Sequence, residues 1–133
     1  MADRTRLGLI GAGALANRAH YPSLKQMPDV EMVALCDLIE EKLTRTADTF
    51  GIAKRYTDYR KMLDQEKVDA VYILMPPYHL FDIVMDVLER GLHVFIEKPP
   101  ATTTFQTESL AEAATRKGLL TMVGFNRRFI PLM

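Results

Sequence analysis

A single cysteine, Cys36, leaves the chain without a partner for an internal disulfide. Its place at the end of an apolar run reads as a small buried hydrophobe, and such sparing use of cysteine fits a reducing, cytoplasmic compartment. Neither sign of charge is in excess. The 17 Lys and Arg balance 17 Asp and Glu, so no overall field draws the chain to nucleic acid or to an anionic membrane. No run approaches the ~20 apolar residues of a membrane-crossing helix. His20, His79 and His93 share no ligand spacing with one another or with Cys36, so no metal is expected. Internal repeats and low-complexity linkers are missing as well. What remains is one domain of 133 residues, 48% hydrophobic and 26% charged, able to bury about two-thirds of its unfolded surface.

The informative stretch lies at the start. Residues 6–10 are mostly apolar and suit a buried strand, and Gly11-Ala12-Gly13-Ala14-Leu15-Ala16 then opens a helix as G-x-G-x-x-A. Gly11 permits the tight turn, Gly13 lets the backbone approach a pyrophosphate, and Ala16 allows helix and strand to pack closely. The free N–H groups at the helix start, from Gly13 through Ala14 and Leu15, suit an anion. Small residues can also pack a helix on a strand with no ligand involved. Context favours the ligand. A second apolar run, residues 31–36, ends in Asp37, an acid positioned to accept hydrogen bonds from both hydroxyls of an adenine ribose. Asp37 stands 26 residues beyond Gly11, against the usual ~20. Pro22 accounts for the difference by interrupting the helix of residues 14–20 and starting a second short one over 22–27.

Arg4, Arg6 and the apolar residues 7–16, with Ala-x-Ala ending at Ala16, imitate a secretory signal. Cleavage there would remove the first strand and orphan the strand of Asp37. The glycines and Asp3 also argue against it.

Further along, residues 38–50 form an amphipathic helix with Leu38, Leu43, Ala47 and Phe50 inward, stopped by Gly51. A short strand at 54–56 precedes a short helix at 58–63 capped by Thr57. Residues 70–75 form a continuous apolar run typical of a parallel strand, ended by Pro76-Pro77. A helix follows over 79–90, then a strand at 93–96. Thr103 and Gln106 form a capping box for a helix to Lys117, and the last strand covers 119–123. This alternation specifies a doubly wound parallel α/β sheet of six strands in the order 3-2-1-4-5-6, with its ligand crevice at the carboxyl ends of strands one and four. Three loops are expected to converge there: 11–15, 76–79 (with Pro76 and His79) and 97–100. His79 at the crevice mouth suits either a contact to ribose or nicotinamide, or simple helix capping. His93 reads as structural.

Glu97-Lys98-Pro99-Pro100 follows strand five at the ligand edge. A lysine in a turn is ordinarily a solvated charge. Here the topology aims it at the nicotinamide end, where an ammonium would bond a substrate oxygen and favour the developing alkoxide.

The chain resembles the glucose–fructose oxidoreductase/inositol dehydrogenase/MocA (Gfo/Idh/MocA) oxidoreductases. The likeness is carried by residues 11–16, His20-Tyr21-Pro22, residues 33–37, Asp69-Ala70-Val71, Pro76-Pro77-Tyr78-His79, residues 91–94, Glu97-Lys98-Pro99 and residues 124–129. It implies a Rossmann domain binding NAD, with NADP less favoured. It also implies a catalytic Lys98 beside nicotinamide and substrate, a site-building Glu97, and Asn126 and Arg127 near the cofactor. Pro77 departs from the family's usual Asn, which removes a side-chain amide from that loop. The substrates implied are sugars, cyclic polyols and related alcohols, held by a second domain that is not in these 133 residues. The chain then reads as the cofactor half of an enzyme, and its apolar end at residues 129–133 implies a homo-oligomer. A non-catalytic dinucleotide sensor is the alternative, and a methyl-donor-binding domain a third reading that the Glu-Lys-Pro loop opposes.

Overall fold

Alternating apolar runs and amphipathic stretches organise the chain into one layered sheet. The computed structural model describes residues 3–132. Strands β1 (Thr5–Ile10), β2 (Val30–Cys36), β3 (Lys54–Tyr56), β4 (Ala70–Ile73), β5 (His93–Ile96) and β6 (Thr121–Val123) are all parallel, in the order β3-β2-β1-β4-β5-β6. The order reverses between β1 and β4, so right-handed crossovers must place helices on opposite faces before and after that point.

One face is covered by α1 (Tyr21–Lys25) and α2 (Glu40–Phe50), which bury Tyr21, Leu24, Leu43, Ala47 and Phe50 against Leu7, Leu9 and Leu35. The other is covered by α3 (Tyr59–Gln65), α4 (Leu80–Glu89) and α5 (Thr104–Lys117). There Met62, Val84, Val87, Leu88 and Leu110 pack on Val71, Ile73, Val94 and Ile96. Each such side chain contributes about 1.5–3 kcal/mol when withdrawn from water, which makes both faces obligatory. Gly51 and Gly118 close α2 and α5 in the left-handed conformation, as the sequence anticipates.

Six local expectations are corrected. Pro22 does not interrupt the first helix: residues 14–25 are helical throughout, with a π-helical turn (Ala16–His20) leading straight into α1. The wider ring, closed by the Tyr21 N–H on the Ala16 carbonyl, accommodates a residue with no N–H of its own. The longer path to Asp37 is therefore a longer helix. Leu38 is not inward but 78% exposed, because α2 starts only at Glu40. Asp58, not Thr57, caps α3, its Oδ1 accepting the Arg60 N–H at 2.9 Å. The strand expected over 70–75 ends at Ile73, and that expected over 119–123 starts at Thr121. In the capping box of α5, Thr103 accepts the Gln106 N–H, while the Gln106 amide oxygen reaches Thr102 instead of Thr103.

His93 is structural, its Nδ1 accepting the Leu120 N–H at 3.0 Å. After β6 the chain makes a 3-10 turn (Asn126–Phe129) whose Phe129 is exposed, as are Ile130 and Leu132; Met133 lies outside the described residues.

Candidate functional site

The glycine turn leaves β1 with Gly11 at φ +109°, a left-handed geometry in which any Cβ would also overlap the Leu74 carbonyl. Three side chains brace the turn. Tyr21, fully buried, donates its hydroxyl to the Gly11 carbonyl. Burial, followed by the nearby charges of Asp37 and Cys36, pushes its phenol pKa far up, so it stays a donor. The Asn17 amide donates to the Ala12 and Gly13 carbonyls at 3.1 and 2.9 Å, and its own oxygen accepts from the buried Thr46 hydroxyl. Asp37 accepts the Ala12 N–H on Oδ2 at 2.7 Å and the Ile39 N–H on Oδ1 at 2.8 Å. Each of its oxygens retains acceptor capacity for a further donor.

Gly13 differs from Gly11. A Cβ built there meets nothing within 4 Å, so the fold itself has no need of glycine at this position. The space in front of it belongs to a cavity of about 700 Å³ over the carboxyl ends of β1 to β4. Gly11, Ala12 and Gly13 form one wall and Cys36, Asp37 and Leu38 the next. Leu74, Met75 and Pro76 close the side toward β4, while Thr57, Asp58, Tyr59 and Arg60 come from the segment after β3. Lys42 of α2 also contributes. This mouth straddles the point where strand order reverses, the expected place for a ligand in an open α/β sheet.

Lys98 lies elsewhere along the same sheet edge. It is exposed after β5 and, with Phe125, Asn126, Arg127 and Arg128, lines a shallow depression of about 150 Å³. The three expected loops thus divide between two concavities: Gly11, Gly13, Asp37 and Pro76 in the large one, Lys98, Asn126 and Arg127 in the small one. Ala14 and Leu15 are exposed at the helix start beside Gly13, and line neither. His79 is exposed at the start of α4, makes no side-chain capping bond, and rests its ring edge-on to Tyr78 at 4.5 Å. Glu97 is turned inward, its Oε1 bonded to His20 Nε2 at 2.7 Å.

Sequence reasoning missed Asn17, Tyr21 and Thr46 as supports of the turn. It also missed Lys42, Tyr59 and Arg60 as cavity lining. A polar Asn directly after the G-x-G-x-x-A pattern was the one available signal.

Burial, then the charges of Asp37 and Asp58, raises the Cys36 thiol to about 12 from an ordinary value of 9.0. The native thiol therefore stays protonated up to high pH. Between pH 9 and 12 the unfolded chain releases this proton and the folded chain keeps it, so the group contributes falling stability as pH rises through that window. Alkylation of Cys36 by iodoacetamide at pH 8 is expected to be far slower in the native chain than in urea, and equal rates would contradict this.

An open α/β sheet with a braced glycine turn and an acid at the end of its second strand defines a Rossmann dinucleotide-binding domain. The chain belongs to the Gfo/Idh/MocA oxidoreductase family, NAD-binding Rossmann fold, whose model matches residues 5–125. It is 32% identical over 124 residues to D-glucoside 3-dehydrogenase of Escherichia coli, covering 93% of this chain and 35% of that protein. To myo-inositol 2-dehydrogenase of Thermotoga maritima it is 28% identical over 124 residues, again 93% of this chain and 37% of the relative. Among solved structures, a 3-ketoreductase from Actinomadura kijaniata in complex with NADP superposes with a TM-score of 0.90 at 31% identity, covering 97% of this chain and 41% of that one. The chain thus spans little more than a third of the length of these curated relatives. Among the described residues no helix is long and apolar enough to cross a membrane, and no group of His, Cys, Asp and Glu could hold a metal.

Proposed function

We propose that this chain is the cofactor-binding part of an oxidoreductase acting on a sugar, a cyclic polyol or a related alcohol, with the substrate-binding part lying outside these 133 residues. The observation that carries the binding half is Gly13: a position where a side chain would fit the fold but would fill the cavity mouth. The residues suit a dinucleotide. The Gly11–Gly13 backbone and the free N–H groups of Ala14 and Leu15 would hold the pyrophosphate. Asp37 would take the adenine ribose hydroxyls with its remaining acceptor capacity, and Pro76 would flank the path toward Lys98.

When bound, the nicotinamide supplies a two-electron hydride acceptor or donor. The protein's own contribution is electrostatic. The Lys98 ammonium, exposed in its depression with Asn126 and Arg127, would orient a substrate oxygen and stabilise negative charge as it develops there. A sensor has no use for such a cation at that end, which favours the enzyme reading. The substrates named for the two curated relatives, a glucoside and an inositol, indicate the same class.

NAD is the preferred cofactor on this reading, because the Asp37 carboxylate repels a 2′-phosphate. Lys42 and Arg60 also line the cavity and offset part of that repulsion, so the preference is modest, about tenfold in Kd. The exposed apolar residues Phe129 and Ile130 favour self-association, hence a homo-oligomer. Calorimetric titration of the purified chain should give tighter binding of NADH than of NADPH. An alcohol panel with NAD should give no turnover. Tighter NADPH binding would overturn the cofactor preference, and steady NADH production would overturn the division of the site between two parts.

A further inference from the structure

We infer that His20 is a positioning residue for the Lys98 loop, acting through Glu97, and that the π-helical turn exists to put it there. The inference rests on the role proposed for Lys98.

The Glu97 carboxylate sits where three segments meet. Its Oε1 is 2.7 Å from His20 Nε2, its Oε2 accepts the Lys98 backbone N–H at 3.2 Å, and it lies against Gly124 at the exit of β6. A Cβ at Gly124 would stand 2.9 Å from Oε1, so any larger residue there would push the carboxylate from this position. The His20 and Glu97 side chains are each only 17% exposed, which removes most competition from water. A carboxylate has only acceptor sites, so the imidazole must carry its proton on Nε2 for this bond to form.

His20 is itself held by more than that bond. Its ring packs edge-on to Tyr72 at 6.1 Å and tilted against Phe95 at 5.4 Å, while Tyr72 and Phe95 stack on each other at 4.3 Å across β4 and β5. This aromatic floor sets the plane of the ring, and the ring sets the carboxylate.

The π-helical turn explains how a residue so near the glycine turn reaches a loop 77 positions away. Accommodating one extra residue turns everything after it by about 100° relative to an α-helix. His20 is the last residue of this turn, and its ring lies on the sheet side against Tyr72 and Phe95. One rigid helix therefore joins the backbone that would receive the pyrophosphate, at Gly13, to the loop carrying Lys98. The spacing between the two ends of the site is fixed through His20 and Glu97. Misplacement of a reacting group by about 1 Å costs up to 100-fold in rate, so such a tie has catalytic weight with no contact to substrate.

Two variants in the 133-residue chain test this. His20→Gln keeps an N–H donor near the position of Nε2, and His20→Leu keeps apolar bulk on Tyr72 and Phe95 but removes the donor. The expected result is that the Lys98 amide resonance shifts and broadens in His20→Leu and returns toward its wild-type position in His20→Gln. The wild-type imidazole should show the Nε2–H tautomer in its ¹⁵N spectrum. In a longer protein carrying the substrate-binding part, His20→Leu should lower kcat about tenfold with KM for the dinucleotide within twofold, and His20→Gln should recover most of the loss. A Lys98 amide unmoved in a folded His20→Leu chain would overturn the inference. So would a neutral Nδ1–H tautomer in the wild type, which decides the matter even if the leucine variant does not fold. These spectra concern the loop alone, so they stand whether or not Lys98 proves catalytic.

Discussion

Gly13→Val is expected to weaken dinucleotide binding by at least ~100-fold, about 2.7 kcal/mol, while moving the thermal midpoint by no more than about 4 °C. The reasoning turns on two glycines that look alike in the sequence. At Gly11 the backbone is left-handed and a Cβ would overlap the Leu74 carbonyl, so a substitution there damages fold and site together. At Gly13 a Cβ would meet nothing within 4 Å, and the residue lines the large cavity. A valine would stand where the pyrophosphate must approach the backbone. Calorimetry with NADH and a thermal melt of both proteins measure the two effects separately. Wild-type affinity in Gly13→Val would remove the proposed site, and a collapsed melt would mean that Gly13 is structural.

Lys98→Ala is expected to lower kcat/KM by at least ~100-fold, on the order of 3 kcal/mol of transition-state stabilisation. The readout needs a longer protein in which this domain is joined to a substrate-binding part, as proposed above. The affinity for NADH should barely change, because Lys98 stands in the small depression beside Asn126 and Arg127, apart from the large cavity. An ammonium that acts only on charge developing in the transition state leaves ground-state binding of the cofactor alone. Turnover near the wild-type rate would end the catalytic assignment. A matching loss of NADH affinity would recast Lys98 as a cofactor-binding residue.

The fold was legible because its signals are local. β5 falls on the residues expected because it is a short apolar run after the stop at Gly91, and β3, Lys54–Tyr56, because only a few residues separate the stop at Gly51 from the next helix. Asp37 was legible for the same reason, as the first acid after an apolar strand. Pro22 misled because its usual effect assumes α-helical hydrogen bonding, and the π-helical turn changes which carbonyl it faces. Leu38 misled because an apolar residue at a helical spacing looks inward until the true start of α2 is known. Lys42, Tyr59 and Arg60 reach the cavity only through the packing of α2 and α3 around β3, which no local pattern encodes. His20 and Glu97 meet across 77 positions, and neither motif points to the other.

The bracing of the glycine turn by Asn17, Tyr21 and Asp37 has a consequence for the timing of order. A free loop loses about 1–2 kcal/mol per residue in backbone entropy when a ligand fixes it. Here that loss falls at folding, since the braces are protein side chains and none belongs to a ligand. The turn is shaped before a dinucleotide arrives, and recognition at this end is closer to lock and key than to induced fit. At the other end of the sheet edge the Lys98 side chain stands exposed, but its backbone N–H is held by Glu97, which His20 ties to the same helix. Both ends of the site then take their shape at folding, and a dinucleotide would meet them already spaced.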